Sequence, residues 1–138
     1  MRQWVLLPML ILMLFISANA LAQFTVITYS PRADTLSASD LRLIFSKQRT
    51  FWADGQPILV FILPPNSNKH QDFCRNNLKI MPYFLQQKWD KRVFSGTGER
   101  PVIVSNETDM WQKVHATPGA IGYISTDFQV QGGVNAFP

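Results

Sequence analysis

From Phe24 onward the chain moves between two hydrophobic rhythms. Phe24-Thr25-Val26-Ile27-Thr28-Tyr29 alternates and is rich in β-branched and aromatic residues, which predicts a first strand, and Ser30 to Asp34 then reads as loop. Leu41, Ile44 and Phe45 recur at helical spacing. Ser37 with Asp40 three residues on is a capping pair, and Leu36 and Leu41 stand where a hydrophobic staple would, so a short helix is predicted over Ala38 to Phe45. Asp54-Gly55 is turn chemistry, and Ile58 to Leu63 is apolar without alternation, the pattern of a strand covered on both faces.

Pro64-Pro65-Asn66-Ser67-Asn68 interrupts the chain, and a helix is expected to begin near Lys69 with Phe73, Cys74, Leu78 and Ile80 inward. Met81 joins Cys74 and Leu78 on that face. Pro82 suits the first turn of a further helix, in which Leu85, Trp89 and Val93 make an apolar stripe and Lys88, Lys91 and Arg92 a solvated basic face. A loop at Ser95 to Arg100 leads to a short strand, Pro101 to Val104. Asn106 with Asp109 then caps a helix carrying Met110, Trp111 and Val114 inward. Thr117-Pro118-Gly119 ends it, and Ala120 to Ile124 returns as a strand in which Gly122 allows a neighbouring backbone to pack closely. Val130, Gly132-Gly133 and Val134 to Phe137 read as a terminal hairpin or edge strand. Strands alternating with helices predict an α/β fold: a single three-layer-like domain with a small mixed sheet flanked by helices.

The first residues follow different rules. Arg2, an apolar run from Trp4 to Ile16 and the small residues Ala20 and Ala22 read as a secretory signal cleaved after Ala22, so residues 1–22 are expected to be removed and 23–138 to form the domain. The run is shorter than the roughly 20 apolar residues a spanning helix needs, so no stable membrane insertion is expected after cleavage. The remaining 116 residues suffice for one core and not for two. They carry 12 Lys+Arg against 9 Asp+Glu, a net +3 spread along the chain. That excess favours weak attraction to anions or to an anionic envelope surface, not dedicated nucleic-acid binding.

Catalytic and metal signatures are missing. His70 and His115 have no cysteine or acidic partners at metal-ligand spacing, and no cofactor is expected. Gly-x-Ser-x-Gly and Walker-type loops are absent. Gly96-Thr97-Gly98 begins a nucleotide fingerprint without its preceding strand or following helix, and nothing places Asp90 and Glu99 across a substrate. Cys74 is the single cysteine, which excludes an intramolecular disulfide, and its helical neighbours make it a buried thiol.

Leu41-x-x-Ile44-Phe45-x-Lys47, then Trp52-x-Asp54-Gly55 before an apolar strand, resembles a segment of the substrate-binding proteins of phosphate ABC transporters, which are type 2 periplasmic binding proteins, and of short proteins related to them. Pro118-Gly119-Ala120-Ile121-Gly122-Tyr123-Ile124 resembles a second segment of that family, in the same order along the chain, and an aromatic helix ending Trp89-x-x-x-x-Phe94-x-Gly96 lies between them. The resemblance maps to one of the family's two lobes. It implies a non-catalytic, periplasmic or secreted protein that binds phosphate or another small oxyanion.

Within the resemblance, phosphate is held by a loop with Arg, then Ser-Gly-Thr, before a helix with Phe in its first turns. Ser67 matches the Ser and Phe73 the Phe, while Asn68 replaces Gly, Lys69 replaces Thr, and Leu63 stands where the Arg would be. The residues alone point to the same place, since Ser67-Asn68-Lys69-His70 offers a hydroxyl, an amide and a cation where a helix begins after the central strand. These four are the candidate anion ligands. Without a bidentate guanidinium, and with half a cleft, binding is expected to be weak or to need an envelope protein or a second copy to complete the cleft. The alternative is an envelope adaptor that has lost solute capture, presenting Lys47, Arg49, Phe51 and Trp52 to a protein partner; core packing is the competing reading of Trp52.

Overall fold

The structure is a computed structural model, and it describes residues 23–31 and 35–129. The signal expected at 1–22, part of the loop expected at Ser30 to Asp34, and the hairpin or edge strand expected from Val130 to Phe137 lie outside the described residues. In chain order the elements are β1 (Phe24–Thr28), α1 (Ala38–Phe45), β2 (Leu59–Ile62), α2 (Asn68–Phe73), α3 (Pro82–Phe94), β3 (Val102–Ile103), α4 (Glu107–Ala116) and β4 (Ala120–Ser125). They build the expected α/β lobe around a mixed sheet ordered β1-β4-β2-β3, with β1 antiparallel to β4 and the other neighbours parallel.

Local signals explain most element ends. Ser37 accepts from the Asp40 amide while the Asp40 carboxylate accepts from Ser37 N–H, the reciprocal cap that starts α1. Pro82 occupies the first turn of α3, where its missing N–H costs nothing. Asn106 Oδ1 accepts from the Asp109 amide at 2.8 Å and starts α4.

β4 carries the layering. Its six residues are all buried, as a strand covered on both faces requires, and successive side chains take opposite faces. Tyr123 stacks on Phe73 at 3.8 Å between ring centroids and meets Phe24 and Phe45 edge-on or tilted, so α1 and α2 cover that side. Trp89 of α3 joins the same layer by donating its indole N–H to Phe45 O at 2.8 Å. On the opposite face, a Cβ at Gly122 would lie 2.5 Å from Met110 Sδ and 2.9 Å from Val114 Cγ2. Gly122 therefore admits the side chains of α4, not the neighbouring backbone that the sequence pattern led us to expect.

Three further expectations are corrected. Cys74 to Leu78 form one π-helical turn, and Lys79 then adopts a left-handed conformation (φ 55°). That widened turn and reversal take Met81 off the buried face, leaving it exposed at the start of α3. Val93 is also exposed, because the last turn of α3 runs past the core; the buried stripe is Leu85 and Trp89 alone. Leu59, at the entry to β2, is partly open, whereas Val60 to Leu63 are buried as predicted.

Candidate functional site

The three parallel strands β4, β2 and β3 lie side by side, and the chain segments leaving their carboxyl ends enclose a groove of about 400 Å³. In open α/β sheets this edge is where ligands sit, because helix amino termini and loops converge there. Leu63, Pro64, Ser67 and Lys69 follow β2; Ser105, Asn106, Glu107 and Thr108 follow β3; Phe128 follows β4. The groove thus gathers residues, from Leu63 to Phe128, that the sequence holds far apart.

Its electrostatics turn on Glu107, in the first turn of α4 and 7% exposed. One carboxylate oxygen accepts from Ser125 N–H at 3.0 Å and from Ser125 Oγ at 2.7 Å. The other lies 3.2 Å from Lys69 Nζ. A carboxylate at a helix amino terminus is favoured by the positive end of the macrodipole, and full hydrogen bonding makes its burial tolerable. The cation of the groove and the dipole of α4 are both answered by an anion that belongs to the chain.

Each predicted ligand has a definite place. Ser67 caps α2: its hydroxyl donates to Pro64 O at 2.6 Å and accepts from the His70 amide at 3.3 Å, so its one hydrogen is committed within the loop. Asn68 is exposed on the first turn of α2. Lys69 lines the groove and keeps further N–H donors beyond the one directed at Glu107. His70 must be corrected, because it points into the core and not the groove. Its Nδ1 lies 2.6 Å from Tyr123 Oη and its Nε2 lies 3.4 Å from Cys74 Sγ.

Burial lowers the His70 pKa from 6.5 to about 4, so the ring is neutral at pH 7. Tyr123 Oη accepts from Leu63 N–H at 3.0 Å, and its own proton finds an acceptor in His70 Nδ1 in the tautomer that carries hydrogen on Nε2. The Nε2–H then faces sulfur. Burial pushes Tyr123 upward and Cys74 up to about 12, so all three stay uncharged near neutrality.

Of Lys47, Arg49, Phe51 and Trp52, the last three come together at one cavity and Lys47 stands apart. Trp52 is buried, its indole N–H donating to Gly119 O at 3.0 Å, which fixes the turn before β2 against the turn before β4. Arg49 is held by Asp40 at 3.0 Å, and Lys47 is half-buried in a left-handed conformation (φ 64°) that ends α1. Phe51 alone is prominent, at 59% exposure. It joins Arg49, Leu36 and an edge of Trp52 around a cavity of about 510 Å³, separate from the groove, that Lys47 does not reach.

Sequence reasoning passed over Glu107, Ser125 and Phe128. Glu107 directly follows the Asn106 cap, where a carboxylate is ordinary, and nothing local signals that it is buried or that it meets Lys69. Among the described residues no cluster of three His, Cys, Asp or Glu could hold a metal ion, and no helix is long and apolar enough to cross a membrane.

An α/β lobe with a polar groove at the carboxyl ends of its parallel strands is the architecture of a solute-binding lobe. A profile of the family described as PBP superfamily domain matches residues 19–135, and the chain belongs to that family. Its domains are solute-binding, generally non-catalytic, and typically extracellular or periplasmic. No curated protein and no solved structure matches the chain.

Proposed function

We propose that this chain is an exported, non-catalytic solute-binding lobe whose groove takes phosphate or another small oxyanion weakly, or together with a partner that covers its open side. The observation that carries this reading is the position of Lys69, beside the first turn of α4 in a groove at the carboxyl ends of three parallel strands. The weakness follows from the same geometry. Glu107 repels a second anion while holding the lysine, Ser67 has no hydrogen left to donate, and the buried Leu63 offers none. Export rests on the Arg2, apolar-run and Ala20/Ala22 pattern, which assigns residues 1–22 to a cleaved signal and 23–138 to the domain.

Phosphate titration of the parent, a Ser67→Ala/Lys69→Ala variant and Glu107→Gln tests the site. The double variant should bind more weakly and Glu107→Gln more tightly, since the latter removes the competing charge while keeping an acceptor for Ser125. Equal affinity across all three would place the solute elsewhere. A second reading, an envelope adaptor that has lost solute capture, is favoured by the Lys69–Glu107 pair itself, an internal anion standing where a solute's charge would be. Under that reading Glu107→Gln gains no phosphate binding.

A further inference from the structure

Helix α3 presents an outer face that neither the groove nor the core uses. Leu85 and Trp89 point inward, and at about 100° per residue Tyr83, Phe94, Gln87, Lys91, Phe84 and Lys88 fall on an opposite arc of roughly 140°. The three aromatic rings are exposed by 67% at Tyr83, 55% at Phe84 and 89% at Phe94. Phe84, Lys88 and Lys91 border a shallow cavity of about 500 Å³. Lys88 and Lys91 also wall a second cavity of about 690 Å³, where Arg92, Ser95 and Thr97 add a guanidinium and two hydroxyls.

None of Lys88, Lys91 and Arg92 takes part in an ion pair among the described residues. Asp90, the one acid of α3, borders this arc beside Tyr83, and its charge is met by Arg100. The face therefore joins unneutralised cations to large exposed rings, with aromatic side chains near both ends of a helix about 20 Å long and lysines between them.

Charge alone would keep the protein dissolved, but a face with only that task gains nothing from three uncovered aromatics. A second copy of the same face is a poor occupant, because Lys88 and Lys91 would meet their own equivalents. An anionic bilayer matches both halves: its phosphates answer the cations, and its headgroup boundary accepts rings that water does not. We propose that the outer face of α3 is a peripheral docking surface for an anionic phospholipid membrane, on which the helix lies parallel to the bilayer plane without crossing it.

The test is co-sedimentation of the protein as isolated from cells with vesicles of phosphatidylglycerol and phosphatidylcholine, against vesicles of phosphatidylcholine alone. Reading the ratio of the two cancels most of any contribution from the apolar residues 1–22, whose one charge is Arg2. The parent should prefer anionic vesicles, and the preference should fall as salt is raised. Lys88→Glu/Lys91→Glu, both at exposed positions, should weaken anionic partitioning by about twenty-five-fold or more, about fivefold per cation removed, with an unchanged circular dichroism spectrum. Phe94→Trp should shift its emission to the blue on anionic vesicles as the ring enters the interface. Equal binding to both vesicle types, unchanged partitioning of the double variant, or a tryptophan at position 94 that stays fully hydrated would overturn the proposal. Competition by free inorganic phosphate at concentrations that leave ionic strength unaltered would reassign the face to a soluble anion, and capture of an acidic protein without vesicle binding would reassign it to a protein partner.

Discussion

The buried His70 makes the fold sensitive to acid in a calculable way. Its imidazole is enclosed by Tyr123, Trp89 and Cys74 and titrates near 4 in the folded chain, against 6.5 when unfolded. Between those values the unfolded state binds a proton that the folded state refuses, so stability is complete above pH 6.5 and is lost as pH falls toward 4. Each pH unit inside the window costs about 1.4 kcal/mol, which amounts to roughly 2–3 kcal/mol by pH 4.5. That is a large share of the 5–15 kcal/mol typical of a domain.

Urea unfolding followed by tryptophan fluorescence at pH 7.0 and 4.5 measures this loss, with Trp89 as an interior reporter. Carboxylates also titrate in this range, so the informative quantity is the difference between the parent and His70→Leu. The variant loses the Tyr123 hydrogen bond and should be about 1–3 kcal/mol less stable at pH 7.0. It should also recover most of that deficit at pH 4.5, because leucine has nothing to protonate. Parallel pH profiles for the two proteins would show that His70 titrates as a solvated imidazole and that the neutral Tyr123–His70–Cys74 chain is wrong.

Other consequences concern the packing. Gly122→Ala places a methyl against Met110 and Val114; the thioether can swing aside but the β-branched valine cannot, so a loss of about 1–2 kcal/mol in urea unfolding is expected, and an unchanged midpoint would mean that α4 does not press on β4 as described. Trp52→Phe removes one of the two donors to Gly119 O, the Leu59 N–H remaining, and should cost about 1 kcal/mol, whereas a purely surface tryptophan would lose almost nothing. Cys74, with its thiol pushed up to about 12, should resist alkylation by iodoacetamide at pH 8 until denaturant is added; rapid labelling of the native protein would contradict its burial.

What could be read from the sequence was the part written locally. The Ser37/Asp40 and Asn106/Asp109 pairs mark the starts of α1 and α4, because each cap is closed by residues three apart, and Pro82 marks the start of α3 by its missing N–H. Ser67 was rightly placed at a helix start beside the groove, yet its use as a cap commits the hydroxyl proton that an anion would need. His70, one turn on, carried a polar label with no sign of which way it pointed; its partner Tyr123 is 53 residues away, and that distance hides the core network. The same holds for Glu107 and Lys69, whose pairing depends on β2 and β3 being neighbours. The exposure of Met81 is hidden because a π-helical turn breaks the 3.6-residue count, and that of Val93 because periodicity does not say where the core ends along α3.

Isothermal titration of phosphate into the isolated protein, with its monomeric state verified by light scattering, puts the half-site account to its most direct trial. Saturation only in the millimolar range, corresponding to about −4 kcal/mol, is expected from a lone lysine already shared with Glu107. A sub-micromolar, one-to-one isotherm from the monomer would mean that this lobe closes over its solute unaided.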